Sequence, residues 1–224
     1  MNGINSLADV RPGDIGIMKM GGFVPGFFPV AVGQWACKES FRVGPFRADH
    51  VLMCVEAELP PYRRSVAHVP ARAVQAMPRG AEEIALRADK HWTDGVVWFR
   101  LQEDYAGQAE DAAAIARLFV SEKVPYSFLS YVALAAWSRG LKAERLERWI
   151  DRYGTEEFHK PHGGAFRLPQ EAICSVLVDQ AWSLAGKRVI NGVARQCVTP
   201  GKMAIQLNNR AGVIRGGPGF LREE

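Results

Sequence analysis

The sequence predicts an α+β domain, with a small, mostly antiparallel sheet early in the chain and helices after it. Short apolar runs separated by turn residues fill the chain up to Gly107, and longer segments with helical spacing follow. The 224 residues are 48% hydrophobic, which suits one compact core. We expect a single domain over residues 1–224, with a flexible Gly-rich tail at about 208–224.

The predicted strands begin in RPGDIGIMK, at 11–19, where Pro-Gly-Asp forms a turn before an apolar run. Prolines interrupt the next stretch, so a regular helix fits only at about 30–38. Alternation in HVLMCVE predicts a strand whose two faces carry Val51, Met53 and Val55 on one side and His50, Leu52 and Cys54 on the other. Further strands are predicted in RAVQAM, AEEIAL and GVVWFRL.

Helical spacing predicts helices at 108–123, 127–137 and 141–153. A loop rich in Gly, His and Pro follows from 154 to 169, and VTPGKMAIQL near the end is interpreted as one more strand. Between them, PQEAICSVLVDQAWSLAG at 169–186 predicts a buried helix that Gly186 closes. We expect the sheet to pack against this helix.

Cys174 lies in the first turn of that predicted helix. The positive end of a helix dipole favours a thiolate over a thiol, so this is a suitable position for a nucleophile. Small apolar residues also occupy helix starts for packing alone. A catalytic role for Cys174 therefore requires a histidine supplied by another part of the chain.

Charge and composition argue against several classes of partner. The net charge of +4 is spread along the chain without basic runs interleaved with aromatics, which gives no support to nucleic-acid binding. No apolar run has the length of a membrane span, and we see no secretory signal, so we expect a cytoplasmic or particle-associated protein. The cysteines at 37, 54, 174 and 197 have no CxxC spacing, and His159 and His162 lack a nearby acidic ligand. We expect no metal and no cofactor.

The order of several short motifs resembles the circularly permuted branch of the NlpC-type cysteine peptidases, near the YiiX-like proteins and the lecithin:retinol acyltransferase group. The motifs are RPGDI, ADHVLMCVE, AVQAMPRGAEEIAL, VPYSF, AICSVLVDQAW and VTPGKMA, spanning most of residues 11–207. In that branch the histidine strand precedes the cysteine helix, as it does here. The resemblance implies a permuted papain-like fold, with the cysteine helix packed on a small sheet that carries the histidine.

The resemblance implies three catalytic residues. Cys174 matches the nucleophile of the Cys-Ser-x-Leu-Val pattern, and His50 matches the histidine that opens the strand after the Gly-Asp-Ile element. A histidine can take the thiol proton while the thiolate attacks a carbonyl. Gln75 stands where many relatives carry an acid. It can accept a hydrogen bond from the imidazole, but it adds no negative charge.

Tyr126, in VPYSF, matches a tyrosine that relatives carry near the site, although a core tyrosine would look the same. Gln170, just before the cysteine helix, is a second candidate for substrate binding, and the backbone N–H of Cys174 is the candidate oxyanion donor. Asp49 points away from the face of its neighbour His50. Cys54 is too far along the strand for proton transfer to His50 and is expected in the core. Cys37 as the nucleophile lacks the surrounding pattern.

The interpretation is a cysteine hydrolase that forms a thioester and cleaves an amide bond, as in the stem peptides of peptidoglycan. Two alternatives stay open: a lipid acyltransferase or thioesterase, and a binding or structural module of a larger particle in which catalysis has been relaxed. The expected partner is a peptide or cell-wall substrate. The oligomeric state cannot be read from the residues.

Overall fold

The computed structural model describes residues 3–18, 50–58, 70–87, 96–101, 106–127, 159–162, 166–169, 172–191, 198–210 and 212–217. For 159–162 and 166–169 the description covers the backbone. The strands within these ranges are β1 (Ile15–Met18), β2 (His50–Glu56), β3 (Arg72–Met77), β4 (Gly80–Ala85), β5 (Val97–Leu101), β6 (His159–His162), β7 (Phe166–Pro169) and β8 (Val213–Gly216). The helices within the same ranges are α1 (Ala106–Ser121), α2 (Cys174–Leu184) and α3 (Pro200–Asn209), with a short 3-10 turn at Leu7–Asp9.

Six of these strands form one antiparallel sheet in the order β4-β3-β2-β1-β5-β8, and β6 pairs with β7 in a separate hairpin. The fold is therefore α+β, as the sequence predicts. Strand β2 lies inside the sheet between β1 and β3, which explains why its residues are almost all buried on both faces.

The two faces of the sheet carry separate apolar clusters. Val51 and Met53 of β2 lie on the face that α1 and α2 cover, together with Leu177 and Trp182 of α2. The opposite face carries a second cluster that includes Leu52, Cys54, Met18 and Trp98. This division follows from the alternation of side chains along a strand.

The turn before β1 depends on Gly13. Its φ is 86°, and a Cβ built on it would lie 2.6 Å from the Cβ of Ala109 on α1, so the helix packs directly against the turn. We predict that Gly13→Ala lowers the free energy of unfolding by about 2–4 kcal/mol, from left-handed strain and overpacking together. Urea unfolding measures the loss.

Gly107 is the matched control for that substitution. It lies on the same helix as Ala109, and a Cβ there meets nothing within 4 Å. We expect Gly107→Ala to raise the free energy of unfolding by about 0.4–1 kcal/mol. Equal effects of the two substitutions would contradict the close approach of α1 to the turn.

Three predictions near the end of the chain were wrong. VTPGKMAIQL, predicted as a strand, forms α3, because Thr199 caps the helix by accepting a hydrogen bond from Lys202 N at 3.2 Å and Pro200 occupies the first turn. The buried Met203, Ala204 and Leu207 have helical spacing. The loop predicted at 154–169 contains the β6–β7 hairpin. The tail predicted as flexible contains β8, which pairs with β5 at the edge of the sheet.

The strand predictions in the first half are confirmed at β1 to β5, as is the helix at 108–123, which begins at Ala106. The cysteine helix is shorter than predicted and begins at Cys174, and Gly186 follows it with a φ of 89°. The helices predicted at 30–38, 127–137 and 141–153 lie outside the described residues, apart from Ser127.

Candidate active site

Cys174 is the first residue of α2 and is buried, with 1% of its surface exposed. The residue before it, Ile173, has extended backbone and no polar side chain that could cap the helix. The side chain of the cap residue therefore accepts no hydrogen bond from the first N–H groups of the helix, which lie at the same end as the Cys174 thiol. Ser175 is fixed by a 2.6 Å hydrogen bond from its hydroxyl to Val198 O, which ties the start of α2 to the segment before α3.

Tyr126 lies beside the residues that lead into α2. It forms an isolated parallel bridge with Ala172, two residues before Cys174. Ser127 N donates to Ala172 O at 3.2 Å, and Ala172 N donates to Pro125 O at 3.0 Å. The VPYS motif, which lies far upstream of the cysteine helix in the sequence, therefore borders the start of that helix in the structure.

The same segment is anchored to the sheet, because Ala81 N at the start of β4 donates to Val124 O at 2.8 Å. In an antiparallel sheet the start of β4 lies at the same end as the end of β3 and the start of β2. His50 is the first residue of β2. The start of α2 and the start of β2 are therefore both near this end of the sheet.

His50 and Gln75 are in direct contact. The His50 Nε2 and Gln75 Oε1 atoms are 2.8 Å apart, and both side chains are buried. Gln75 lies opposite Leu52 in the β2–β3 register, so it is diagonal to His50 on the same face of the sheet. Because an amide oxygen only accepts, Nε2 donates in this pair, which makes Nδ1 the basic nitrogen of the neutral ring.

This face is not the one on which α2 packs. His50 and Leu52 share a face, whereas α2 contacts β2 and β3 on the side of Val51 and Met53. A thiol on α2 can therefore approach an imidazole of β2 only around the end of the sheet. Cys174 is the first residue of its helix and His50 is the first residue of its strand, so both lie near that end.

Sequence reasoning missed Glu82. Gln75 Nε2 donates to Glu82 Oε1 at 2.7 Å, and the two residues are directly opposite in the β3–β4 hairpin. The signal was present in the two-residue turn at Pro78 and Arg79, because so short a turn fixes the register of the strands it joins. Counting back from Met77 and forward from Gly80 pairs Gln75 with Glu82.

The Asp of the RPGD turn has a structural role. Arg100 donates to both carboxylate oxygens of Asp14, at 2.8 Å from Nε and 2.6 Å from Nη2, and Arg11 N donates at 2.8 Å. Burial raises the pKa of Asp14 above its usual value, and the hydrogen bonds and charge of Arg100 act against that rise. Asp14 therefore fixes the turn and β5 relative to each other.

Cys54 lies in the core, as the sequence predicts. Its backbone N–H donates to Asp14 O at 2.8 Å and its thiol to Glu56 O at 3.3 Å. Burial, reinforced by the negative charge of Asp14, raises the pKa of Cys54 to about 12. A thiol with this raised pKa is protonated at neutral pH, so Cys54 provides an internal reference for Cys174.

The remaining candidates fall elsewhere. Gln170, Asp49, Cys37 and Cys197 lie outside the described residues. His159 and His162 are the two ends of β6. Within the described ranges, no cluster of three or more His, Cys, Asp or Glu side chains suits a metal ion, and no helix combines the length and hydropathy needed to cross a membrane.

Comparison of the chain with protein-family models, with curated proteins and with solved structures found no match. The residues themselves must therefore support any function.

Proposed function

We propose that this protein is a cysteine hydrolase of the permuted papain-like type, with Cys174 as nucleophile, His50 as general base and Gln75 as the residue that orients the imidazole. The observation that supports it best is the 2.8 Å hydrogen bond between His50 Nε2 and Gln75 Oε1 at the end of the sheet. A histidine whose ring is oriented by an amide is one arrangement in which a cysteine nucleophile is served by a general base.

In the proposed reaction the Cys174 thiol gives its proton to His50 Nδ1, and the sulfur attacks the carbonyl carbon of an amide. The resulting imidazolium returns that proton to the departing nitrogen as the C–N bond breaks, which leaves a thioester on Cys174 and releases an amine. Water then gives a proton to His50 and attacks the thioester. The C–S bond breaks, the thiolate is reprotonated, and a carboxylic acid is released.

The start of α2 supplies the oxyanion site in this mechanism. The N–H of Cys174 lies at the positive end of the helix dipole, where negative charge on the tetrahedral intermediate is stabilised. Tyr126, which borders the start of α2 through its pairing with Ala172, contributes to the wall of the substrate site. We assign Gln170 to the same wall from its sequence position.

The proposed substrate is a peptide amide, as in the stem peptides of peptidoglycan. This part of the proposal depends on the resemblance of the motif order, and the geometry supports attack on a carbonyl without selecting its leaving group. An amine leaving group makes the proton return from His50 important, because an amine departs poorly unless protonated.

The first experiment is alkylation of the intact protein by iodoacetamide between about pH 5 and pH 10, read by peptide mass spectrometry. We predict that Cys174 reacts well below pH 8 and faster than Cys54, whose pKa of about 12 keeps its thiol protonated. His50→Ala is expected to remove the advantage of Cys174 below about pH 8, because the thiolate then lacks the imidazolium that stabilises it.

Denaturation in urea provides the control for access, since all four cysteines should then react at similar rates. If Cys174 reacts no faster than Cys54 at pH 7 in the folded protein, or if His50→Ala leaves its rate unchanged, the proposed function is wrong. Incubation with muropeptides, and separately with lipid esters, then tests the substrate. Amine release from muropeptides is the expected result, and cleavage of lipid esters alone would overturn the amide assignment.

A further inference from the structure

Three side chains on one face of the sheet form a continuous hydrogen-bonded row. His50 Nε2 donates to Gln75 Oε1 at 2.8 Å, and Gln75 Nε2 donates to Glu82 Oε1 at 2.7 Å. The row crosses from β2 through β3 to β4 and ends on a carboxylate. Gln75 is thus held at both ends of its amide.

We propose that Glu82 is a positioning residue of the candidate site, which fixes the orientation of the Gln75 amide and supplies the negative charge that Gln75 itself lacks. This inference rests on the proposed function, because it concerns the same imidazole.

The orientation argument follows from which atoms can donate. If the Gln75 amide turned over, its oxygen would face the Glu82 carboxylate, and two acceptors would be in contact without a hydrogen between them. Glu82 therefore selects the orientation that presents Oε1 to His50. That orientation requires a proton on Nε2, so the basic nitrogen is Nδ1, the one that the proposed mechanism uses.

The charge argument concerns the imidazolium. When His50 takes the thiol proton, a positive charge forms on a buried ring, and burial alone disfavours that charge. Gln75 is neutral, but it donates a hydrogen bond to the Glu82 carboxylate, so a negative charge lies directly beyond the Gln75 amide. Its attraction favours the imidazolium and thereby the thiolate with which it pairs.

The titratable and charged groups around His50 on the described elements are few. Its own strand contributes Cys54, whose pKa burial raises to about 12, and at its far end Glu56, which pairs with Arg117. Met18 is its partner on β1, Glu82 stands beyond Gln75 on β4, and the exposed Arg79 lies in the turn between β3 and β4. Cys174 is the first residue of α2, and Tyr126 pairs with Ala172 just before that helix. Among these groups Glu82 is the carboxylate linked to the ring.

Glu83 is a matched control next along the same strand. It points to the opposite face, where Arg72 Nε lies 2.5 Å and Arg117 Nη2 lies 3.2 Å from its Oε1 atom. Replacing either glutamate with glutamine removes one negative charge from β4. Only the Glu82 substitution removes the charge at the end of the row to His50. A glutamine at position 82 can donate as well as accept, so it no longer selects the orientation of the Gln75 amide.

The experiment compares the pH profile of Cys174 alkylation in the full chain for wild type, Glu82→Gln and Glu83→Gln. We expect Glu82→Gln to slow alkylation at pH 6 by about three- to tenfold and to move the profile to higher pH. Glu83→Gln is expected to lower stability while leaving the profile within about twofold of wild type. Circular dichroism and urea unfolding establish that each variant is folded.

A double variant, Gln75→Glu with Glu82→Gln, separates the charge from the shape of the row. In this variant a carboxylate at position 75 contacts the imidazole, and an amide at position 82 can donate a hydrogen bond to that carboxylate. We expect it to restore alkylation at pH 6 to at least the wild-type rate. A merely structural role for Glu82 does not predict this rescue.

Different experimental results would overturn the proposed function and the proposed role of Glu82. Absence of a His50-dependent rate at Cys174 in the wild-type protein overturns the proposed function. A clear His50 dependence in wild type, with Glu82→Gln and Glu83→Gln giving the same profile, overturns the role of Glu82 alone.

Discussion

Arg100→Met is expected to lower the free energy of unfolding at pH 7 by about 3–5 kcal/mol, a large fraction of the stability of a domain this size. Asp14 is 1% exposed, and Arg100 makes two hydrogen bonds to its carboxylate and a third to Asp9 O. Removing the guanidinium leaves a buried negative charge without its main partner. Urea unfolding followed by tryptophan fluorescence measures the loss.

The pH dependence of this loss has a definite sign. Burial already raises the folded-state pKa of Asp14 above its unfolded value, and loss of Arg100 raises it further. A carboxyl whose folded pKa is raised binds its proton more tightly in the folded state, so stability falls as pH rises through the window between the two pKa values. The difference in the free energy of unfolding between Arg100→Met and wild type should therefore become smaller as pH is lowered from 7 toward 4.

Arg72→Met is the control for loss of an arginine ion pair. Arg72 pairs with Glu83 at 2.5 Å, but 41% of its side chain is exposed, so we expect a loss of at most about 1 kcal/mol. Replacing both Asp14 and Arg100 with apolar residues should recover much of the loss, because no charge is then left buried. Similar losses for Arg72→Met and Arg100→Met would show that burial of Asp14 does not decide the effect.

The sheet was predictable because its strands are marked by local signals. Alternation in HVLMCVE and RAVQAM, with Pro78 and Gly80 between the latter and AEEIAL, identifies the strands and their order in the chain. The position of β8 was not predictable, since the short run at 213–216 has no strong pattern and becomes a strand by pairing with β5. For α3, Thr199 followed by Pro200 was a signal for the start of a helix, but the apolar residues after them were interpreted as a strand.

The candidate site shows the same division between local and long-range information. The contact of His50 with Gln75 was predicted from the resemblance of short motifs, and the structure has the hydrogen bond. Glu82 could have been found from the length of one turn. The pairing of Asp14 with Arg100 joins residues 86 positions apart and depends on β1 lying next to β5, which local patterns in the sequence do not encode.

Cys174→Ser and His50→Ala are expected to produce the largest losses of activity. Against a muropeptide amide, Cys174→Ser should reduce kcat/KM to the residual rate that binding and the oxyanion site alone give, and His50→Ala should reduce it by about 10²- to 10⁴-fold. Gln75→Ala should cause a smaller loss, since the ring then loses its orientation but keeps its basicity. Release of the amine, followed by chromatography, gives the rates.

Cys54→Ala is the control, because it removes the other buried thiol of the described residues without touching the proposed proton path. We expect it to leave kcat/KM within about threefold of wild type while reducing stability. A loss comparable to that of Cys174→Ser would mean that the effects report on folding rather than on catalysis.

A double substitution at Cys174 and His50 shows whether the two residues act as a catalytic pair or contribute to the rate independently. If His50 acts only by activating the Cys174 thiol and by returning its proton, then it has nothing to act on once the thiol is gone. The double variant Cys174→Ala with His50→Ala, which leaves no hydroxyl at position 174 for the imidazole to activate, should therefore be no less active than Cys174→Ala alone, as residues that act as a unit are non-additive. Losses that multiply would instead indicate that His50 acts on the substrate independently of Cys174, and the proposed proton transfer between them would be wrong.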